Sequence, residues 1–152
     1  MSTPAVGRID PETSRELRRS VLRPELAADA PLPGDDNPAA VHFGVTVDGR
    51  VVSTCMIWPE DCPWRPDDRP GWRLRQMATD PAQRGHGYAG RVVEAAKEYA
   101  REHGGAVLWC NARELAIPMY ARHGFVGEGE IFTDDVHTIP HQHMWVSIGR
   151  AG

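Results

Sequence analysis

Residues 83 to 90 read Gln83-Arg84-Gly85-His86-Gly87-Tyr88-Ala89-Gly90, a glycine-rich turn placed just before a stretch with helical periodicity. A turn of this kind suits an anion. The first N–H groups of a helix have no intrahelical partner, and the helix dipole is positive at that end. Gly85 and Gly87 let the backbone approach a ligand without interference from a Cβ, and Arg84 can add a charge-assisted contact. A nucleoside-triphosphate loop would need Gly-Lys-Ser/Thr at the helix start, which Tyr88-Ala89-Gly90 does not supply. Gly85-x-Gly87-x-x-Gly90 does match the letters of a dinucleotide loop. That loop, however, opens a repeated βαβ pattern and is answered by an acid at the end of the second strand. Here the turn follows a helix and an antiparallel hairpin, and the next strand ends in Cys110-Asn111.

A second cluster of chemically capable residues is His137, His141 and His143. In a strand His141 and His143 share one face, and with His137 they raise the question of a metal. No carboxylate or thiol pattern accompanies them, so hydrogen-bonded or solvent-exposed imidazoles are the expectation, without a metal. The cysteines, Cys55, Cys62 and Cys110, are odd in number and form neither a disulfide framework nor a paired CxxC site.

The elements that must hold these residues follow from periodicity and turn chemistry. A short strand is expected at 6–9. Asp10-Pro11 then starts a helix over 11–22, with Pro at the first helical position and Leu17, Val21 and Leu22 on the face to be buried. Pro, Gly, Asp and Ala dominate 24–38, read as a long loop or a broken helix. Val41, Phe43, Val45 and Val47 alternate with smaller or polar residues, Asp48-Gly49 supplies a two-residue turn, and 51–58 returns antiparallel. After a proline-rich loop at 59–71 comes a strand at 72–79. Then follow the glycine-rich turn, a helix over 86–103 with Tyr88, Val92, Ala96, Tyr99 and Ala100 on one face, and a stop at Gly104-Gly105. The wholly apolar stretch 106–110 reads as an inner strand, parallel to 72–79 because one helix joins them. A helix near 112–122, irregular where Pro118 enters it, and strands near 125–132 and 142–148 complete an α/β chain. The expected architecture is one mixed, mostly antiparallel sheet with a single parallel βαβ step and helices on both faces, forming one domain over residues 1–152.

Composition sets the class. The chain has 152 residues, 41% hydrophobic and 25% charged, as in an ordinary globular protein. No stretch has the length and apolarity of a signal peptide or a membrane span, so a cytoplasmic location and no membrane partner are expected. The net charge of -4 argues against a nucleic-acid partner. Arg15, Arg18, Arg19 and Arg23 cluster, and are read as a solvated helix face.

Four motifs in their order and spacing resemble the GNAT N-acetyltransferases over nearly the whole chain. They are Met77-Ala78-Thr79-Asp80-Pro81, then Gln83 to Gly90, then Asn111-Ala112-Arg113, and Met119-Tyr120-Ala121-Arg122-His123-Gly124-Phe125. Val21-Leu22-Arg23-Pro24, Trp72-Arg73-Leu74-Arg75 and Ile139-Pro140-His141 are similar to a bacterial subgroup of that family. Ala82 departs from the Gln or Arg common at its position, a role that Gln83 and Arg84 can cover. The resemblance implies an acetyl-CoA cosubstrate and a small-molecule or peptide amine as acceptor. A second copy of the chain, as in a homodimer, is the protein partner left open. The pyrophosphate would sit on Arg84, Gly85, His86, Gly87, Tyr88 and Ala89. Pantetheine would run between strands 72–79 and 106–110 where they spread beyond a bulge, bonded by backbone groups of Met77 and Thr79. An N–H near Ala78 would polarise the acetyl carbonyl.

Tyr120 matches the family's usual general acid. A thiol pKa of about 8.5 lies below the tyrosine value of about 10, so a phenol keeps its proton and still donates to a departing thiolate. By helix chemistry alone Tyr120 reads first as an aromatic core residue packing on the sheet; the resemblance turns the reading toward the acid. Asn111 either bonds the cofactor or a water, or caps the following helix. The base stays open among Asp35, Asp36, Glu60, a water chain and His141. His141, after Ile139-Pro140, is placed by the resemblance beside the acetyl site; its alternative is to bond the preceding turn. Arg75 either orients a substrate carboxylate or pairs within the fold. A non-catalytic acyl-CoA sensor and a transferase for longer acyl groups are the rival readings on the same fold.

Overall fold

A computed structural model describes residues 3–135 and 137–149. In chain order the elements are β1 (Ala5–Ile9), α1 (Pro11–Leu22), β2 (Val41–Val47), β3 (Arg50–Pro59), β4 (Gly71–Thr79), α2 (Tyr88–Glu102), β5 (Val107–Arg113), α3 (Ile117–Arg122), β6 (Val126–Phe132) and β7 (His141–Ser147). The sheet order is β1-β2-β3-β4-β5-β7-β6. The β4–β5 pair is parallel, and the β1–β2, β2–β3, β5–β7 and β6–β7 pairs are antiparallel. This is the mixed sheet with one parallel step that the sequence implies. The chain clusters into two compact units, one running to Trp58 together with Gln76–Ala96, the other made of Pro59–Arg75 together with Lys97 onward.

In the first unit the β2–β3 hairpin forms where the sequence puts it. Asp48 and Gly49 both have positive φ, 52° and 77°, the pairing a tight two-residue turn demands. Val45, Val52, Met56 and Ile57 are buried, as are Val92 and Val93 of α2, and Cys55 Sγ contacts the Val92 carbonyl at 3.7 Å.

Helix α1 keeps the expected bounds but turns another face inward. Ser14 and Arg18 are its buried residues, whereas Leu17, Val21 and Leu22 are only half-buried. Arg18 is therefore not part of a solvated face. Its guanidinium donates to Asp35 Oδ1 at 2.5 Å and Oδ2 at 3.1 Å, to Gln76 Oε1 at 2.8 Å and to the Pro11 carbonyl at 2.6 Å. Its Nε donates to Ser14 Oγ at 2.9 Å. A buried charge persists only when paired and fully hydrogen-bonded, and these acceptors meet that condition. Asp35, a candidate base in the sequence, is spent in this pair.

His42 lies beside the same ion pair and is 4% exposed. Its Nδ1 is buried with no partner among the described residues. Burial, and then the Arg18 charge, push its pKa down to about 4 against a weaker pull from Asp35. An unfolded histidine titrates near 6.5, so between those values the unfolded chain binds the extra proton. Folding stability should thus be unaffected by His42 above pH 6.5 and fall as pH drops toward 4, by up to about 3 kcal/mol at 1.4 kcal/mol per unit. Denaturant midpoints at several pH values, compared with His42→Gln, check this: the variant should lose much of the decline across that window.

In the second unit β4 and β5 pair over Gly71↔Val107, Trp72↔Leu108 and Arg73↔Trp109. Trp72 meets the C-terminal turn of α2 edge-on through Tyr99, with ring centroids 5.9 Å apart. Val107, Leu108, Trp109 and Cys110 are buried. Cys62, Val107 and Trp109 form a cluster against which Trp64 and Trp145 pack. β5 runs on to Arg113, paired residue for residue with β7 from Val107↔Ser147 to Arg113↔His141. Asn111 is thus a strand residue rather than the cap of the next helix. A 3-10 turn at Glu114–Ala116 follows, and the α-helix restarts at Ile117 with Pro118 in its first turn, where its missing N–H costs nothing.

Candidate active site

In the first unit the end of β4 runs directly into the glycine-rich turn. Gln76 breaks the regular strand: its φ is +56°, the local signature of a bulge. Arg18 holds the Gln76 side-chain oxygen, and Gln76 Nε2 donates to the Pro33 carbonyl. Past the bulge Ala78 is 2% exposed while Met77 and Thr79 are half-buried. Thr79 Oγ1 and Ser53 Oγ are 2.8 Å apart. Asp80 then ends the strand, its N–H donating to the Val52 carbonyl and its carboxylate accepting from Ala82 N at 3.0 Å. These bonds aim a short 3-10 turn, Pro81–Gln83, at the start of α2.

Arg84, Gly85, His86 and Gly87 are exposed and Tyr88 and Ala89 half-buried. Gly85 and Gly87 have φ of +86° and +77°, and a Cβ built on either meets no atom within 4 Å. The loop therefore presents bare backbone to open space at the positive end of a 15-residue helix. Its shape is braced locally: His86 Nδ1 is 3.0 Å from the Gln83 carbonyl, and the His86 and Tyr88 rings stack at 5.3 Å. The residues present fit a diphosphate.

In the second unit the carboxyl end of β5 carries a hydrogen-bonded chain. Asn111 Oδ1 lies 2.6 Å from His143 Nδ1, and Asn111 Nδ2 lies 3.4 Å from His137 Nε2. His137 Nδ1 in turn faces Asp134 at 3.0 Å. The His143 ring packs on those of Trp64 and Phe132, with centroids 4.2 and 4.5 Å away. His141 is 9% exposed, its Nδ1 2.6 Å from the Ile139 carbonyl, and its ring lies 4.7 Å from that of His137. This is the bond to the preceding turn named above as its alternative. Burial lowers the pKa of His141, partly offset by that bond, and burial also lowers that of His143. The three histidines are hydrogen-bonded, as the sequence suggested. Among the described residues no group of three or more His, Cys, Asp or Glu is arranged to hold a metal ion.

Tyr120 lies on α3, 3% exposed, its ring 5.1 Å from Phe125. Glu60, another candidate base, is 3.3 Å from Arg73, and its carbonyl accepts from Trp109 Nε1 at 2.8 Å. Arg75 is half-buried on β4. The residues that sequence reasoning missed are Asp134, Trp64 and Phe132. His-x-His alternation pointed to their neighbourhood, but nothing local in sequence joins them to it.

Comparison with known proteins gives a consistent result. The sequence profile described as "Acetyltransferase (GNAT) family" matches residues 9–125. An uncharacterized N-acetyltransferase, YitI of Bacillus subtilis, is 30% identical over 125 residues, covering 82% of this chain and 83% of its own. Among solved structures, a putative N-acetyltransferase from Lactobacillus plantarum superposes with TM-score 0.74 at 18% identity, covering 97% of this chain and 98% of its own. An aminoglycoside 6'-N-acetyltransferase complexed with coenzyme A gives TM-score 0.75 at 13% identity, covering 97% and 99%. At those identities the structural likeness speaks for the fold. No described helix is long and apolar enough to cross a membrane.

Proposed function

We propose that this chain, which belongs to the acetyltransferase (GNAT) family, moves an acetyl group from acetyl-CoA to the amine of a small molecule or peptide. The observation that carries the cofactor part is the cradle at the start of α2, where Gly85 and Gly87 hold positive φ beside open space. Arg84, the loop backbone and the helix dipole would hold the pyrophosphate, with His86, Tyr88 and Ala89 shaping the cradle. Backbone groups of Met77 and Thr79 would bond the pantetheine arm, and the N–H near Ala78 would polarise the thioester carbonyl. Asn111 serves the same reaction from β5.

Acetyl-CoA supplies an activated acetyl group and a thiolate leaving group. Positioning does most of the remaining work. The amine arrives mostly protonated and must first give one proton to a base. Its nitrogen then bonds to the carbonyl carbon as the carbon–sulfur bond breaks. Tyr120 gives its proton to the departing sulfur, and the second proton lost by the amine nitrogen makes that good. The products are an acetylated amine and free CoA thiol.

The cofactor assignment is tested at the loop. Gly87→Val puts a branched side chain where φ is +77°, and Arg84→Glu puts a carboxylate at the anion site. Each should weaken CoA binding at least tenfold, about 1.4 kcal/mol, with an unchanged circular-dichroism spectrum. Calorimetric CoA affinities equal to wild type in both folded variants would remove the loop from this role.

A further inference from the structure

We propose that the base of this reaction is His143, held in one tautomer by Asn111 at the carboxyl end of β5. The inference rests on the acetyl-transfer reading above and gives it the residue it lacks. A base must present a lone pair, and neutral imidazole has one on only one of its two nitrogens. The hydrogen-bond chain decides which. Asp134 is a carboxylate and accepts, so His137 Nδ1 carries its proton toward it at 3.0 Å. His137 Nε2 is then the acceptor for the Asn111 amide N–H at 3.4 Å. With its NH2 so engaged, Asn111 turns its oxygen to His143, and His143 Nδ1 donates to it at 2.6 Å. The lone pair of His143 is thereby fixed on Nε2, which has no hydrogen-bond partner among the described residues. This is the logic of a base oriented by a second group that is itself oriented by a third.

Place and packing support the assignment. Asn111 lies two residues past Trp109, the last β5 residue in parallel register with β4, and ligands of open α/β sheets bind beyond the carboxyl ends of parallel strands. The Trp64 and Phe132 rings both pack on the imidazole, with centroids 4.2 and 4.5 Å away and interplanar angles of 33° and 35°, contacts that fix the ring's place. His141 differs on each count. Its Nδ1 is tied to a backbone carbonyl of its own turn rather than to a side chain fixed by a relay, and it is the more buried of the two. The charged and titratable groups around His143 come from each neighbouring element. Glu128 faces it across the β6–β7 register, Asp134 and His137 come from the connection between those strands, and His141 lies on its own strand. Burial, and then the His137 charge, hold its pKa below the ordinary histidine value against a weaker pull from Asp134 and Glu128. The imidazole is then neutral and able to accept at pH 7.

In the step itself His143 Nε2 takes one proton from the acceptor's ammonium group, giving a neutral amine and an imidazolium. The imidazolium returns that proton to solvent after the acetyl group has moved. No oxidant or other co-reactant enters.

The test uses the full chain, acetyl-CoA, and the amine of a panel that gives the fastest thiol release with wild type. His143→Gln should lower kcat/KM at least tenfold at pH 7 and abolish the acidic limb of its pH profile, with the KM for acetyl-CoA little changed. Asn111→Ala, which frees the tautomer without removing the imidazole, should lower kcat/KM less and move the limb. His141→Gln should keep the limb. Added imidazole should restore part of the rate to His143→Gly, which separates a lost base from a lost fold. A wild-type limb in His143→Gln, or limb loss only in His141→Gln, overturns the assignment while leaving the acetyl-transfer reading intact. Absence of thiol release with every amine in wild type overturns both.

Discussion

Tyr120→Phe should lower kcat by roughly a hundredfold and leave the KM for acetyl-CoA nearly unchanged, as for loss of a positioned acid. The substitution isolates the hydroxyl. Tyr120 is 3% exposed and its ring lies 5.1 Å from that of Phe125, contacts that a phenylalanine ring retains. The unfolding free energy should fall by no more than about 1–3 kcal/mol, the range for a buried hydroxyl and its hydrogen bond, so the variant stays folded. The chemistry sets the sign. Without a proton donor the sulfur must leave as a thiolate, and the carbon–sulfur bond breaks more slowly while the ground-state complex is unaffected. An acceptor with a less basic nitrogen should suffer no less, since the deficit lies at the leaving group. If instead KM rises and kcat holds, Tyr120 is a packing or binding residue.

The second large effect is structural. Arg18→Met should cost about 3–5 kcal/mol of folding stability, the range for removing one partner of a buried ion pair. Arg18 has no side-chain exposure and Asp35 only 19%, so the abandoned carboxylate cannot simply turn to water. The same change removes the donor that holds Gln76 Oε1 and leaves Ser14 and the Pro11 carbonyl short of a partner. Arg18→Lys keeps the charge but cannot span these acceptors with a single ammonium, and should fall between. Arg18→Met with Asp35→Leu should recover part of the loss, because the orphaned charge goes too. Urea midpoints decide the matter. A loss under about 1 kcal/mol for Arg18→Met would mean that the network contributes little.

The contrast between Arg18 and the glycine-rich loop explains what the sequence made legible. The hairpin, the helix bounds at 11–22 and the glycine-rich turn ahead of α2 depend on neighbours in sequence: alternation, Asp48-Gly49, Asp10-Pro11 and the spacing of Gly85 and Gly87. Physical chemistry acts locally there, and the backbone expectations match. The inward face of α1 does not follow from such rules. Its apolar spacing points to Leu17 and Val21, yet Ser14 and Arg18 are buried, and Asp35 and Gln76, 17 and 58 residues from Arg18, come to meet its guanidinium. Pattern reading treats an arginine as solvated unless its partner is known, and the partner is set by the fold. Asn111 shows the same limit. Whether it caps a helix or extends a strand depends on β7, which pairs with it through His143. The sequence shows the three histidines as a group, His141 and His143 on one strand face, but their hydrogen-bond order needs Asp134 and Asn111 in place.

The bulge at Gln76 joins the two levels. The resemblance implied a bulge beyond which strands 72–79 and 106–110 spread, without placing it, and within β4 a non-glycine residue, Gln76, has φ +56°. Left-handed backbone at a residue with a side chain is unfavourable by roughly 1–2 kcal/mol and persists where its surroundings fix it. Arg18 and the Pro33 carbonyl do so from either end of the Gln76 amide. The stability of a buried ion pair and the direction of the strand proposed to hold the thioester thus share one side chain.

The central claim, acetyl transfer from acetyl-CoA to an amine, is tested most directly by thiol release from acetyl-CoA across a panel of small-molecule and peptide amines, with mass spectrometry of the products. At least one amine should accelerate release well above the no-amine rate and should itself carry the acetyl group, in an amount equal to the thiol released. Tight CoA binding with no amine accelerating thiol release, and no acetylated product, would contradict the account and favour an acyl-CoA sensor on the same fold.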